Sequence, residues 1–223
     1  MFPDLAHKSE LAILKPEALS AEVHKVVADA MEAGCAAVCV APVWVNRVAR
    51  MVQGSGVRIC SAVGFPHGTS KATLKAIEAT STIKDGAEAI DVVAHLPHIV
   101  SLDVDAARAE LMEIVRAARS TRRDVVIGVI VETALLAQLG EGRAERAFDV
   151  ACRAVRESGC DAVVTSSGFH PGGGATVDTI RLLKRFGESL IIKGSGCVAD
   201  DGQARALLDA GADVVRLDWT RSL

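Results

Sequence analysis

Lys193 and Asp91 are the residues of this sequence best placed for chemistry. Lys193 ends the apolar run Ser189-Leu190-Ile191-Ile192 and opens the glycine-rich turn Gly194-Ser195-Gly196. A lysine at the mouth of a buried strand sits where desolvation and neighbouring charges tune its amine, as a nucleophile or proton carrier requires. Asp91 follows Ile90 and precedes Val92-Val93. A carboxylate in so apolar a run must be paired or functional. It is either an interior ion pair with Lys193 or a proton relay, and both roles bring the two residues together.

Glu132, in Val129-Ile130-Val131-Glu132-Thr133, is a second acid at a strand end, where it serves a site or caps the following loop. Cys39, in Ala37-Val38-Cys39-Val40, has no base beside it and is expected to be a packed wall of the site rather than a nucleophile. His67 and His170 fall in loops, facing a strand-end mouth or solvent. The stretch Gly168-Phe169-His170-Pro171-Gly172-Gly173-Gly174-Ala175-Thr176 leads into a helix. Its amides can cradle an anion with the helix dipole behind them, although a mobile loop needs the same residues.

These residues need strands to carry them. Short Val/Ile/Ala-rich runs are expected as strands at 11–14, 36–41, 57–63, 89–94, 125–131, 162–165, 190–193 and 213–217. Helical periodicity fills 20–33, 43–52, 70–85, 103–119, 143–158, 177–186 and 200–210, often behind a Ser or Asp cap. Met31-Glu32-Ala33-Gly34, Ile83-Lys84-Asp85-Gly86 and Leu208-Asp209-Ala210-Gly211 each stop on a glycine before an apolar run, the residue suited to a left-handed helix end. Eight near-continuous apolar strands alternating with helices predict an α/β protein, a (β/α)8 TIM barrel. An open doubly wound sheet is the alternative, but the first strand-to-helix turn lacks GxGxxG. With no linker-like tract, residues 1–223 are expected to form one domain. The eighth helix is expected to be absent or rudimentary, leaving an apolar flank for a partner subunit and hence a homo-oligomer.

The chain has 223 residues, 50% hydrophobic and 24% charged, enough for one sizeable core. A net charge of −3 with interleaved signs, 3% aromatics and no Tyr argue against nucleic-acid binding. No apolar run approaches the roughly 18–20 residues that span a bilayer, and the start lacks a signal-peptide pattern, so the expectation is a cytoplasmic protein away from the membrane. The six cysteines, Cys35, Cys39, Cys60, Cys152, Cys160 and Cys197, lie mostly in apolar runs without CxxC spacing, as packed reduced thiols do.

In many blocks the sequence resembles deoxyribose-phosphate aldolase. They are Leu14-Lys15-Pro16, Val38-Cys39-Val40-Ala41-Pro42, Ala62-Val63-Gly64-Phe65-Pro66-His67-Gly68, Gly86-Ala87-Glu88-Ala89-Ile90-Asp91-Val92-Val93, Val129-Ile130-Val131-Glu132-Thr133, Thr165-Ser166-Ser167-Gly168-Phe169, Gly173-Gly174-Ala175-Thr176 and Ile192-Lys193-Gly194-Ser195-Gly196. The resemblance implies a class I aldolase on a (β/α)8 barrel that needs no metal or cofactor and cleaves a small sugar phosphate or aldehyde. It makes Lys193 and Asp91 the catalytic pair, with Cys39, Glu132, Thr165, Ser195, Gly196, Gly173, Gly174 and Arg216 binding substrate. The family's Schiff-base lysine, however, falls on Val164. Its Asp-His-Thr near the first strand appears as Glu10-Leu11-Ala12, and its phosphate turn as Arg216-Leu217-Asp218-Trp219. There Asp218 would repel a phosphate, Arg216 would grip one bidentately and Trp219 would fill space.

Three activities fit these residues. Lys193 can itself form the Schiff base, since an amine displaced by one strand still reaches the same cavity. Asp91, Lys193 and His67 can instead move protons without a covalent intermediate. Alternatively, the barrel is a non-catalytic relative that binds a small metabolite or a partner protein.

Overall fold

The computed structural model describes residues 3–140 and 142–219. Its eight strands are β1 (Ser9–Ile13), β2 (Ala37–Val40), β3 (Arg58–Val63), β4 (Ala89–Val93), β5 (Val126–Ile130), β6 (Ala162–Val164), β7 (Ile191–Gly194) and β8 (Val214–Asp218). All pair in parallel in sequence order, and β8 closes on β1 through partners from Ser9↔Val215 to Ala12↔Asp218. The open-sheet alternative is thereby excluded.

Helices α1 (Pro3–Ala6), α2 (Ser20–Ala33), α3 (Val45–Met51), α4 (Ala72–Lys84), α5 (Leu96–Val100), α6 (Val104–Thr121), α7 (Thr133–Ala137), α8 (Arg143–Glu157), α9 (Val177–Phe186) and α10 (Asp201–Asp209) fill the connections. The helix ends follow the local chemistry. Gly34 closes α2 at φ 70°, its amide reaching the carbonyls of Ala30 and Met31. Asp103 caps α6, Thr176 caps α9 and Asp200 caps α10 through their side-chain oxygens.

Two expectations need correction. The helix expected over 43–52 divides into a 3-10 turn (Pro42–Trp44) and α3, and the short α1, α5 and α7 are too brief to print a periodicity. The first strand begins at Ser9 rather than at Leu11, so Glu10 is a strand residue. The expectation of an absent or rudimentary eighth helix falls on residues 220–223, which lie outside the described residues. Among those described, no helix is long and apolar enough to cross a membrane.

Successive side chains alternate across each strand, and the two faces bury different things. Leu11, Val38, Ile59, Ile90, Val92, Ile127, Val129, Val163, Ile192, Val215 and Leu217 join the large core shared with the helices. The inward face holds two small apolar groups, Ala12, Cys39, Cys60 and Ala89 in one, Val93, Ile130 and Val164 with Phe65 in the other. Glu10, Asp91, Lys193 and Arg216 occupy inward positions of β1, β4, β7 and β8, all buried.

Room for them is made on β5. Gly128 is the register partner of Asp91, and a Cβ there would approach Asp91 Oδ1 to 2.1 Å and Val164 Cγ2 to 3.1 Å. Replacing Gly128→Ala should therefore destabilise the barrel by about 1–3 kcal/mol, the usual cost of overpacking. Denaturant unfolding measures this, and unchanged stability would show that Asp91 does not lean over β5.

Candidate active site

The inward charges form a closed network. Lys193 Nζ lies 2.8 Å from Glu10 Oε1 and donates to Asp91 Oδ2 at 3.1 Å and Oδ1 at 3.3 Å. Arg216 donates from Nε (2.9 Å) and Nη2 (2.6 Å) to Glu10 Oε2, and from Nη2 to Asp91 Oδ2. Cys60 Sγ completes the shell, 3.5 Å from Asp91 Oδ2 and 3.3 Å from Arg216 Nη2. Register explains part of this, because Glu10 and Arg216 are Cα partners across the closing seam. Two acids and two bases sum to zero, the condition under which charges survive in a dry interior.

Protonation follows from the same contacts. Burial alone would raise the Asp91 carboxyl, but Lys193 and Arg216 outweigh it and hold it near 2. Glu10 is likewise lowered, with burial and Asp91 opposing Lys193 and Arg216. Burial would depress the Lys193 ammonium, yet Asp91 and Glu10 raise it above the ordinary lysine value. The hydrogen bond with Cys39, then burial, pushes the Cys60 thiol up. The resting state is therefore two carboxylates, an ammonium, a guanidinium and a neutral thiol.

Sequence reasoning put Asp91 and Lys193 at the rim. They are instead the third residues of β4 and β7, one layer below it. Above them a mouth cleft of about 480 Å³, part of it open solvent, is lined by Ala12 of β1, by Leu14 and Lys15 after it, by Ser167–Phe169 and Ser195–Cys197 after β6 and β7, and by Arg216 and Asp218 of β8. Backbone contacts shape its walls. Thr165 Oγ1 donates to the Ser195 carbonyl (2.7 Å) and accepts from the Ser195 amide (2.8 Å), joining the ends of β6 and β7. Glu132, at φ 53°, turns its carboxylate back so that Oε1 accepts from Ser167 N at 3.0 Å. Ser167 Oγ in turn accepts from Phe169 N at 3.1 Å, and the Phe169 ring meets Phe65 edge-on at 5.2 Å.

The other predicted residues separate clearly. Ser195, Gly196 and Arg216 line the cleft, while Thr165 and Glu132 act on its loops from behind. Cys39 is fully buried beside Cys60, the packing expected of it, and does not reach the cleft. Gly173 and Gly174 do not line it either. Gly174 underlies the second wall, where a Cβ would meet the Gly196 carbonyl at 2.0 Å, so close backbone packing explains that glycine. His67 is exposed, and His170 Nδ1 accepts from Gly172 N within its own turn. Trp219 does not fill the site: it turns outward, its indole donating to Asp29 of α2 at 2.8 Å.

Glu10 and Cys60 were missed by sequence reasoning. The period-two pattern of Glu10 and Ala12 between outward Leu11 and Ile13 was the available signal for Glu10. Outside the barrel, buried Lys75 bonds Glu110 (2.6 Å) and the Val93 carbonyl (2.7 Å), bracing the end of β4. Val164, the register partner of Lys193, is fully buried with Val93, Ile130 and Phe65. Glu10, Cys60 and Asp91 bring three potential metal ligands within 4.8 Å of one another, but Lys193 and Arg216 already neutralise both carboxylates.

An eight-stranded parallel barrel with a lysine–carboxylate site under its C-terminal mouth is the architecture of a barrel enzyme of the aldolase class. Residues 7–135 match the DeoC/LacD family aldolase profile. The deoxyribose-phosphate aldolase of Mycobacterium tuberculosis (strain H37Rv) is 40% identical over 220 residues, 98% of this chain and 94% of that protein. That of Thermoanaerobacter pseudethanolicus is 36% identical over 211 residues, 94% and 91% of the two chains. Two solved structures superpose closely. "QR15, an Aldolase" does so with TM-score 0.87 at 32% identity, covering 100% of this chain and 95% of that one. The deoxyribose phosphate aldolase of Aeropyrum pernix, described as tetrameric, gives 0.85 at 28% identity, covering 96% and 86%. The chain belongs to the DeoC/LacD aldolase family.

The charge network sets an acid limit. Asp91, depressed from 3.8 to about 2, contributes stability that is fully present above pH 4 and lost as the pH falls toward 2. Urea midpoints across that window should fall steeply for the wild type. Asp91→Asn should lose about 3–5 kcal/mol at neutral pH, because it leaves two buried cations sharing the single Glu10 carboxylate with one positive charge uncompensated, and should show a shallower acid step.

Proposed function

We propose that this protein is an aldol-type carbon–carbon lyase acting on a small aldehyde or sugar at the C-terminal mouth of the barrel. Lys193 and Asp91 form its polar centre. The supporting observation is their direct contact, one layer beneath an open cleft, in a chain whose relatives are named deoxyribose-phosphate aldolases. Lys193 is level with Val164 across the β6–β7 pair, so its amine stands one strand from the place the resembled family gives its reactive lysine.

In the covalent route, Lys193 passes a proton to a carboxylate and attacks the substrate carbonyl. Loss of water then gives an iminium that accepts the electron pair of the breaking C–C bond. Proton loss is uphill in the resting network, where Glu10 and Asp91 hold the ammonium, so substrate binding must loosen these contacts. The sealed, cationic state of Lys193 favours a second route, in which it stays protonated and acts by charge alone. Self-association belongs to the same proposal: the Aeropyrum pernix relative is described as tetrameric, and Leu74 and Ile77 of α4 are 55% and 65% exposed.

Borohydride trapping separates the routes. After incubation with acetaldehyde or 2-deoxyribose 5-phosphate, reduction and peptide mass mapping, the covalent route leaves a reduced adduct on Lys193 and none on a folded Lys193→Met variant, whereas the second route leaves none on either. Turnover that survives in Lys193→Met would remove the covalent route. Absence of aldol cleavage or condensation with phosphorylated and unphosphorylated substrates alike would overturn the lyase assignment.

A further inference from the structure

Arg216 is the one member of the four-charge network that also lines the mouth cleft. Its guanidinium is used unevenly. Nε and Nη2 are committed to Glu10 Oε2, and Nη2 also to Asp91 Oδ2 and Cys60 Sγ. Nη1 donates to no group among the described residues, although the side chain is only 4% exposed. Nη1 is not among the fully buried polar atoms left without a partner, so it keeps access to the cleft that Arg216 lines, where a water or ligand oxygen can meet it. The bonds to Glu10 and Asp91 fix the guanidinium plane, and the direction of Nη1 is set before any ligand arrives. This is the arrangement by which preorganised donors stabilise an oxygen that gains charge.

The surroundings restrict what that oxygen belongs to. The network is already neutral, so Arg216 brings little uncompensated positive charge to the cleft. Its two-pronged edge is turned into Glu10 rather than toward substrate, leaving single donors for one oxygen atom. Lys15, the other cation on the lining, is ion-paired with Glu22 at 2.6 Å, and the Asp218 carboxylate belongs to the same lining. Ala12, Leu14 and Phe169 supply apolar surface. A phosphate dianion finds no free fork here, whereas the oxygen of an uncharged carbonyl compound matches a single aimed N–H in a partly apolar cleft.

We infer that Arg216 Nη1 is a substrate-binding donor that holds and polarises the carbonyl oxygen of a small uncharged aldehyde or ketone, and that this cleft prefers unphosphorylated substrates. The inference rests on the aldol proposal for its chemical setting, but the binding it describes requires neither a lysine adduct nor turnover.

Nitrogen-15 arginine labelling tests it in the intact protein. The Arg216 guanidinium signals, assigned by their loss in Arg216→Lys, should shift saturably with acetaldehyde and stay in place with inorganic phosphate. Ala12→Leu keeps all four charges and fills the cleft beside Arg216; it should abolish the acetaldehyde shift while the Nε signal persists. For turnover of 2-deoxyribose, Arg216→Lys should lower kcat about 100-fold, the effect of losing one aimed donor, with a smaller change in KM. A saturable shift with phosphate, or none with acetaldehyde, overturns the inference. An adduct on Lys193 without any Arg216 shift overturns it while leaving the lyase assignment intact. An Arg216 shift without aldol turnover upholds the binding role and counts against the lyase assignment instead.

Discussion

Four ionised side chains inside a closed barrel must cancel, and this requirement governs the rest of the interior. Neither acid can stay ionised in a dry cavity without a cation in contact, and neither cation can stay charged without an acid. The network satisfies both conditions by sharing, since Glu10 and Asp91 each contact both Lys193 and Arg216. Space follows charge. The strands surrounding these groups contribute Ala12, Cys39, Cys60, Ala89 and Gly128, all small, so that long polar side chains occupy the volume that bulky aliphatics fill in other barrels. Val164 fits the same logic: with Arg216 supplying the second cation, a third inward charge on β6 would leave the network unbalanced.

The mouth obeys a different rule. Its walls are loops, and loops have backbone groups that the barrel ladder does not satisfy. Buried side chains just past the strand ends, and one from helix α4, take over that role. Thr165 pairs with both backbone groups of Ser195, Glu132 holds Ser167, and Lys75 holds the carbonyl of Val93. A rigid cleft thus forms from segments that carry few ladder bonds of their own. Arg216 joins the two systems, belonging to the charge network on one edge and to the cleft on the other.

Much of this was legible in the chain. Eight apolar runs, glycine helix stops and capping residues specify a parallel barrel, and α2 and α9 begin and end where their periodicity does. Asp91 and Lys193 stand out because an ionisable residue breaks an apolar run. Glu10 was harder to see because it sits beside Ser9 at the start of its strand, where two polar residues read as loop. Ser9 is buried there by donating to the Leu5 carbonyl, and Glu10 by its two cations, neither of which is near in sequence.

The sequence by itself determined which residues face inward, because side-chain alternation along a strand is a local property. It carried the resemblance to the family, and with it the valine at position 164 of β6, on the same footing, residue by residue. Only the closed tertiary structure decided that β8 lies against β1. That closure brings Arg216 to Glu10 across 206 positions of chain and turns a lysine–aspartate pair into a neutral foursome. It also decided that Lys193 is sealed while Arg216 reaches the cleft. Depth inside a cylinder depends on strand register, and no local pattern of residues encodes register between strands so far apart in sequence.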